Sequence, residues 1–317
     1  MVGALNAQLF HGYHNVSKNS TANFAVSKKK DLTVLHRSSI MVIMNRLTTK
    51  KRAQILGCLV EGNSIRSTVR MTGASKNTVT KLLVDIGRAC SEYQDRTLRN
   101  LPCKRLQCDE IWAFCYAKEK NVPEDKKGQF GYGDVWTWTA IDADTKLVPS
   151  FMIGSRDGEA ARIFIEDLAS RLAHRVQLTT DGLKAYLEAV EDSFGADIDY
   201  AMLIKIYGNE PEGEKRYSPS KCLGAEKIRI TGKPERKHVY TSYVERQNLT
   251  MRMGMRRFTR LTNAFSKKVE NLAAAVALHF MWYNFGRIHQ KLRVTPAMEA
   301  VVSDHVWTLE EIVELAE

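Results

Sequence analysis

The segment RLQCDEIWAFCYA (residues 105–117) marks the point where the sequence changes from a helical to an extended pattern. It is rich in aromatic and aliphatic residues, which favour a β-strand. Asp109 and Glu110 lie at its centre. Because neighbouring side chains of a strand point to opposite faces, we expect only one of these carboxylates to face a shared site. Both faces are otherwise apolar, so alternation leaves the choice open between the side of Ile111 and Ala113 and the side of Trp112 and Phe114.

The chain that follows this strand alternates between extended and helical patterns. It predicts a hairpin with its turn around Asp142 to Thr145, a helix, a short strand QLTT that ends at Asp181, a second helix and a further strand. This order predicts a mixed α/β fold, a sheet with helices packed on it. Residues 208–239 are rich in Gly, Pro and Lys with little periodicity, and such long connections are commonly functional or mobile.

The part of the chain that precedes the strand divides into two regions. Residues 1–40 show no sustained period and are interpreted as a disordered tail or a start assigned too early. Residues 41–100 predict an all-α helix-turn-helix domain of three helices, with a Gly73 turn between the second and third. The third helix starts with Ser75, Lys76 and Asn77, which can meet phosphates or base edges. A small helical bundle without DNA-binding activity is the alternative.

The distribution of charge indicates a polyanionic partner. The formal net charge of the 317 residues is +11. Residues 41–108 hold thirteen basic and four acidic residues, residues 109–200 hold ten and eighteen, and residues 246–293 hold ten and one. Two basic blocks thus flank an acidic middle, which suits DNA as the partner and a carboxylate cluster that needs a cation. Six cysteines without a CxxC pair argue against a zinc site and favour a reducing cytoplasm, and no apolar run is long enough for a membrane span.

The stretch TSYVERQNLTMRMGMRRFTRLTNAF (residues 241–265) combines one carboxylate, Glu245, with several arginines. On a helix, Glu245, Asn248, Arg252 and Arg256 would share one face, at spacings of three, four and four. The residues Val244, Met251, Met255 and Phe258 would form an apolar stripe beside it. We therefore expect this helix to hold a metal and contact a phosphate backbone, with phosphate-contact candidates Arg246, Arg252, Arg256 and Arg257.

Three carboxylates lie at the ends of predicted elements: Asp109, Asp181 and Glu245. Convergent carboxylates suit two Mg²⁺ ions, with Mn²⁺ as the alternative, and two such ions serve phosphodiester chemistry. Each residue also has a purely structural explanation. Asp109 could accept a hydrogen bond from a loop, Asp181 could belong to an Asp-Gly turn, and Glu245 could interact favourably with the helix dipole. The metal site is inferred from the three together.

The segment around Glu245 and the downstream YNFGRIHQKLRVTPAMEA resemble DDE transposases of the insertion-sequence-1 type, as do LQCDEIWAF and LTTDGLKAY. The resemblance spans residues from about 46 to 300. It implies a ribonuclease H-like catalytic core over residues 103–300, with an insertion near 208–239. Residues 301–317 contain acidic and no basic residues, which predicts an acidic C-terminal cap. The resemblance also implies the catalytic and metal-binding triad Asp109, Asp181 and Glu245. His289 matches the family pattern, either as a DNA contact or as a structural residue.

The function that this resemblance implies is transposition of DNA. The protein would bind element ends and target DNA as a dimer or larger assembly, in the nucleoid-associated cytoplasm of a prokaryote. It would cleave a strand and join the freed 3′ hydroxyl to a target phosphodiester. The alternatives are an inactive DNA-binding regulator and a ribonuclease H-like nuclease without strand transfer.

Overall fold

The computed structural model describes residues 47–208, 222–259 and 263–317, and the predicted tail at 1–40 lies outside them. Its strands are β1 Arg105–Cys115, β2 Gly133–Asp142, β3 Phe151–Gly154, β4 Gln177–Thr180, β5 Asp199–Tyr207 and β6 Cys222–Thr231. Its helices are α1 Thr49–Val60, α2 Ile65–Thr72, α3 Lys76–Thr97, α4 Gly158–Ser170, α5 Ala185–Phe194, α6 Ser242–Gly254, α7 Val269–Met281, α8 Pro296–Glu299 and α9 Leu309–Glu314. The mixed α/β class predicted from the sequence is confirmed.

The sheet has the strand order β3-β2-β1-β4-β5-β6. β2 is antiparallel to β1 and β3, whereas β4 runs parallel to both β1 and β5. The longest strand, β1, therefore lies inside the sheet with an antiparallel neighbour on one side and a parallel neighbour on the other. The carboxyl end of β4 is thereby placed beside the middle of β1.

Strand β6 was missed by the sequence analysis, which gave residues 208–239 no regular structure. β6 pairs antiparallel with β5 at the edge of the sheet. Most of its residues are exposed, so neither face shows the alternating apolar pattern on which strand prediction depends. Its backbone pairing with β5, which is not visible in a local pattern, defines the strand.

The three helices before the sheet carry the caps that their sequence predicts. Ser64 and Ser75 each accept a hydrogen bond from the backbone N–H three residues on, at 3.1 Å in both cases. Gly73 ends α2 with a φ of 71°, a left-handed conformation that glycine adopts without strain. These helices share one buried apolar core with the sheet and α7. The division into domains at residues 41–100 and 103–300 stays a prediction.

The acidic end of the chain packs back onto the first helix. α9 contacts α1 and buries Ile312 and Val313. The side chain of Arg52 in α1 is buried and donates a hydrogen bond to the Glu317 carboxylate at 2.6 Å. Among the residues described, no helix has both the length and the apolar character that crossing a membrane requires.

His279 lies buried in α7 and gives the fold a pH dependence. Burial lowers the pKa of its imidazole to about 4, and the nearby charge of Arg287 acts in the same direction. The unfolded chain takes up this proton near pH 6.5, whereas the folded chain does so only near pH 4. We therefore expect the free energy of unfolding to fall as the pH drops through this window, by up to about 3 kcal/mol from this group.

The measurement is urea unfolding of the wild type and of His279→Gln between pH 7 and pH 4.5. The variant should lose clearly less stability over that range than the wild type does. His174→Gln, which changes an exposed histidine, is the matched control and should follow the wild-type pH dependence. Equal pH dependence in the wild type and His279→Gln would contradict the expectation.

Candidate active site: a cluster of carboxylates

Three carboxylates meet where β4 ends beside β1. Asp109, Glu110 and Asp181 each place one oxygen within 4.8 Å of the other two. The parallel register of β1 and β4 explains the meeting, because Cys108 pairs with Thr180 and the next residue on each strand is an aspartate. The structure thus brings together two of the three residues named from the sequence, Asp109 and Asp181, and adds Glu110.

The expectation that only one of Asp109 and Glu110 faces a shared site stays a prediction, although both place an oxygen in this cluster. Asp181 directly follows the last residue of β4. Its Oδ1 also accepts a hydrogen bond from the backbone N–H of Leu183 at 3.0 Å, which holds the turn into α5. Alternation on β1 therefore does not decide between the two neighbours.

Glu110 is the most deeply buried of the three, with a side chain that is 1% exposed. Its Oε2 accepts a hydrogen bond from Nε of Arg156 at 3.1 Å. Burial raises the pKa of Glu110, and the neighbouring Tyr186 hydroxyl and Arg156 guanidinium oppose that shift. Glu110 therefore already has a cationic partner, whereas the hydrogen-bond donors to Asp109 are uncharged groups, a backbone N–H and a side-chain amide.

Burial and the neighbouring carboxylates disfavour the charged form of Asp109. Burial, followed by the charges of Glu110 and Asp181, raises its pKa to about 7, and the charge of Glu245 adds to the effect. Its Oδ1 accepts a hydrogen bond from the backbone N–H of Glu110 at 2.9 Å, and its Oδ2 accepts one from the side-chain amide of Asn248 at 2.8 Å. A divalent cation would relieve this repulsion, and carboxylate oxygens are the ligands that Mg²⁺ prefers.

The helix that carries Glu245 is held on β1 by two polar side chains. Gln107 is buried in β1, and its Oε1 accepts hydrogen bonds from the backbone N–H groups of Tyr243 and Val244 at 2.9 and 3.1 Å. Asn248, one turn further along α6, bonds Asp109. The sequence analysis did not single out Gln107, although a polar residue inside an otherwise apolar strand, two positions before Asp109, is the signal that could have identified it.

Glu245 lies outside the cluster of three. Its Oε1 accepts a hydrogen bond from Nζ of Lys205 at 2.5 Å and another from the Thr241 hydroxyl. The Lys205–Glu245 pair is about one-third exposed at either end. The convergence of Glu245 with the two aspartates stays a prediction, and Lys205 competes with a metal ion for this carboxylate.

Replacing Lys205 should therefore strengthen metal binding. An ion pair this exposed is worth about 0.2–1 kcal/mol, so we expect Lys205→Gln to bind Mg²⁺ about 1.4- to fivefold more tightly than the wild type. Isothermal titration of the DNA-free protein measures the effect, and Lys184→Gln, which removes an exposed lysine beside α5, is the matched control. Weaker binding in Lys205→Gln would show that Lys205 supports the site rather than competing for Glu245.

The predicted arginine face is only partly correct. α6 ends at Gly254, and Met255 is extended, so Arg256 lies in a separate 3-10 turn (Arg256–Phe258) rather than on the helical face of Glu245. Glycine favours a helix end because it destabilises a helix interior. Arg256 is exposed, as is Arg246. Arg252 is half-buried and donates a hydrogen bond to the carbonyl of Phe258 at 3.4 Å.

Arg257 differs from the other arginines. Its guanidinium donates a hydrogen bond to the Ser266 hydroxyl at 2.6 Å, and burial lowers its pKa to about 10. Through this hydrogen bond Arg257 connects the chain that follows α6 to the segment before α7, which is a structural role. The predicted apolar stripe is buried, although two of its four members follow the helix end: Val244, Met251, Met255 and Phe258.

The predicted DNA-reading residues lie at the start of α3. Ser75, Lys76 and Asn77 are all exposed, and the Ser75 hydroxyl also caps the helix. The loop after α1 comes close to the end of α6, since a Cβ on Gly62 would lie 2.9 Å from the carbonyl oxygen of Gly254. The end of α6 therefore lies beside the loop that follows α1.

His289 is half-buried in the chain after α7. Its backbone N–H donates to the Val294 carbonyl at 2.9 Å, and its buried Nδ1 has no hydrogen-bond partner within the described segments. Burial, followed by the positive charges of Lys146, Arg287 and Lys291, lowers its pKa. Its role as a DNA contact stays a prediction.

A cavity of about 730 Å³ opens at the other end of the sheet. It is lined by residues at the amino ends of β1 and β4, among them Arg105 and Gln177, and by ion-paired side chains such as Asp144 and Arg175. The carboxylate cluster instead lies at the carboxyl end of β4. The cavity is therefore separate from the candidate active site.

Two solved structures illustrate what this chain is similar to. A piggyBac transposase synaptic complex with hairpin DNA aligns over 100% of this chain and 76% of its own, with 9% identity and a TM-score of 0.42. A pre-cleavage Mos1 transpososome aligns over 63% of this chain and 76% of its own, with 10% identity and a TM-score of 0.20. No family model and no curated protein matches the sequence. Neither neighbour is named as one of the insertion-sequence-1 type, and both TM-scores are too low to support an argument about function.

Proposed function

We propose that this protein is a DDE transposase that cleaves DNA and transfers the cut strand. The observation that carries the proposal is the meeting of Asp109 and Asp181 at adjacent strand positions, beneath a helix that also carries Glu245. The strand order β3-β2-β1-β4-β5, with three antiparallel strands followed by two parallel ones, supports a ribonuclease H-like core. The insertion-sequence-1 type is the finer part of the proposal and rests on the sequence resemblance.

The side chains of the cluster fit a divalent metal. Asp109 and Asp181 would hold it together with Glu245, which would first have to leave Lys205. Such a metal would supply activation of an attacking oxygen and stabilisation of the leaving oxygen of a phosphodiester. Asn248 keeps the Asp109 carboxylate oriented through its hydrogen bond. Gln107 keeps α6 in place by binding the first N–H groups of that helix.

The DNA would lie across the surface shared by the first helices and the end of α6. Lys76 and Asn77 at the start of α3 would read the element end, and the exposed Arg246 and Arg256 would contact phosphates. Two element ends call for at least two copies of the chain, so a homodimer or larger assembly on double-stranded DNA is part of the proposal.

One observation favours a second candidate, a DNA-binding regulator without cleavage activity. Glu245 forms an ion pair with Lys205 and lies outside the carboxylate cluster. Glu245 would therefore have to leave this ion pair before it could bind a metal as the third ligand. A chain in which that pair never opens would bind DNA and leave it intact.

The test is a cleavage and strand-transfer assay with the purified full chain. Labelled duplexes that carry the DNA flanking the gene on either side are incubated with Mg²⁺, Mn²⁺ or a chelator, together with a supercoiled target plasmid. Metal-dependent nicking with a free 3′ hydroxyl, followed by joining to the plasmid, supports the transposase. Nicking without joining indicates a nuclease, and binding without nicking indicates the regulator.

The exposed arginines allow a separate prediction about DNA affinity. If Arg246 and Arg256 contact phosphates, the double replacement by Gln weakens binding to any sequence and reduces the log–log salt slope by about one to two units. Filter binding between 50 and 300 mM salt measures the slope. The control replaces Arg162 and Lys184, two exposed cations of the same total charge, and should keep the wild-type slope. A slope lowered equally by both double variants would indicate a general charge effect.

A further inference from the structure

The face of β1 that carries Glu110 also carries large aromatic side chains. Trp112 and Phe114 are half-exposed, whereas the alternate residues Ile111 and Ala113 are buried. Trp112 stands opposite Trp136 of β2 in the strand register, and Trp136 is half-exposed as well. Beyond Glu110, β1 is therefore covered on the side of Ile111 and Ala113 and partly open on the side of Trp112 and Phe114.

Trp112 and Phe114 are half-exposed because α4 and α5 cover only part of their face of the sheet. Next to Glu110 this face is covered, because Trp138 packs against Phe164 of α4 and Tyr186 of α5 with ring centroids 5.9 and 5.4 Å apart. Beyond this point the rings of Trp112 and Phe114 pack along the sheet, 5.7 Å apart. Phe265, which precedes α7, extends the row, 4.7 Å from Phe114. We refer to Trp112, Phe114, Trp136 and Phe265 as the aromatic strip.

Cations lie over both ends of the aromatic strip. The guanidinium carbon of Arg156 lies 4.7 Å from the Trp136 ring, and Nζ of Lys267 lies 4.3 Å from the Phe265 ring. Arg156 also bonds Glu110, a member of the carboxylate cluster. The strip therefore begins beside the candidate active site and leads away from it along β1.

We propose that the aromatic strip binds unpaired bases of a DNA strand that leaves the carboxylate cluster. Aromatic rings with interleaved cations are the combination by which proteins hold single strands, since bases stack on the rings and the cations meet the phosphates. From Asp109 to Phe114 the strand spans about 16 Å, which is room for roughly four stacked bases. A protein partner fits less well, because the centres of protein interfaces are depleted in lysine.

This proposal rests on the proposed function in one respect, namely that the bound strand is the one to be cleaved. Single-strand binding itself requires neither metal nor cleavage, so the test is done with the full chain in the presence of a chelator. A failure of the strip and a failure of the transposase proposal are thereby distinguishable.

The experiment compares the affinities of the wild type, Trp112→Leu and Phe265→Leu for a fluorescent single-stranded 12-mer and for the matching duplex. Leucine retains apolar bulk and removes the stacking surface. We expect each variant to lose about five- to hundredfold in affinity for the single strand and less than twofold for the duplex. The control is Tyr207→Leu, an exposed aromatic residue at the end of β5, which should leave both affinities unchanged.

Three outcomes would overturn the proposal. Unchanged single-strand affinity in both variants would show that the rings do not contact bases. Equal losses for single strand and duplex would show a general role in DNA binding. Weaker self-association in the variants by sedimentation, with unchanged single-strand affinity, would show that the strip docks a second copy. Phe265→Leu changes a half-exposed residue at the outer end of the strip, so it keeps the test valid if Trp112→Leu does not fold.

Discussion

Asp109→Ala and Asp181→Ala should each abolish metal-dependent DNA cleavage and leave DNA affinity within about twofold of the wild type. A bound metal contributes several kcal/mol of transition-state stabilisation, so removing a ligand should lower the cleavage rate about a thousandfold or more. DNA binding should persist because the exposed basic residues of α3 and α6 are unchanged. Cleavage rates come from single-turnover gels and affinities from anisotropy, with Asp192→Ala, an exposed carboxylate of α5, as the control.

Two further variants identify the third ligand. Glu245→Gln should lose cleavage to the same degree if Glu245 leaves Lys205 to join the aspartates. Glu110→Gln should retain cleavage and lose stability instead, because it leaves Arg156 without its carboxylate partner. The reverse result, with Glu110→Gln inactive and Glu245→Gln active, would assign the metal site to the cluster of Asp109, Glu110 and Asp181. Normal cleavage in all four variants would contradict a metal site at this position.

Gly87→Ala should destabilise the protein by about 2–3 kcal/mol. Helix propensity alone predicts the opposite sign, since alanine stabilises a helix interior by about 1 kcal/mol relative to glycine. In the structure, α3 crosses α7 at Gly87, and a Cβ there would lie 2.5 Å from the carbonyl oxygen of Ala274 and 2.6 Å from its Cα. Because both contacts are backbone atoms, the two helices would have to move apart.

Urea unfolding followed by circular dichroism measures this change. Gly158→Ala is the matched control, because nothing lies within 4 Å of a Cβ at that position in the first turn of α4. That variant should be neutral or slightly stabilised. A stabilised Gly87→Ala would show that α3 does not approach α7 as closely as described, and that the helices before the sheet are packed independently of the rest of the chain.

Features that depend only on near neighbours along the chain were predictable from residue type and spacing. The caps at Ser64 and Ser75 and the left-handed turn at Gly73 need only residues within one turn of helix, so residue type and spacing predict them. The strand around Asp109 follows from a run of strand-forming residues. The burial of Val244 and Met251 follows from their spacing on α6.

Contacts between segments that are far apart along the chain could not be predicted and are seen only in the folded structure. The side of β1 that faces the core depends on where α4, α5 and α6 pack, so Trp112 and Ile111 could not be told apart beforehand. The inclusion of Glu110 in the cluster depends on where β4 ends, and the location of Glu245 depends on a lysine forty positions away. Arg257 follows the exposed Arg256 directly, yet it is half-buried and its guanidinium donates a hydrogen bond to Ser266. These contacts form between segments whose local sequences carry no information about each other, and packing of the whole chain selects them.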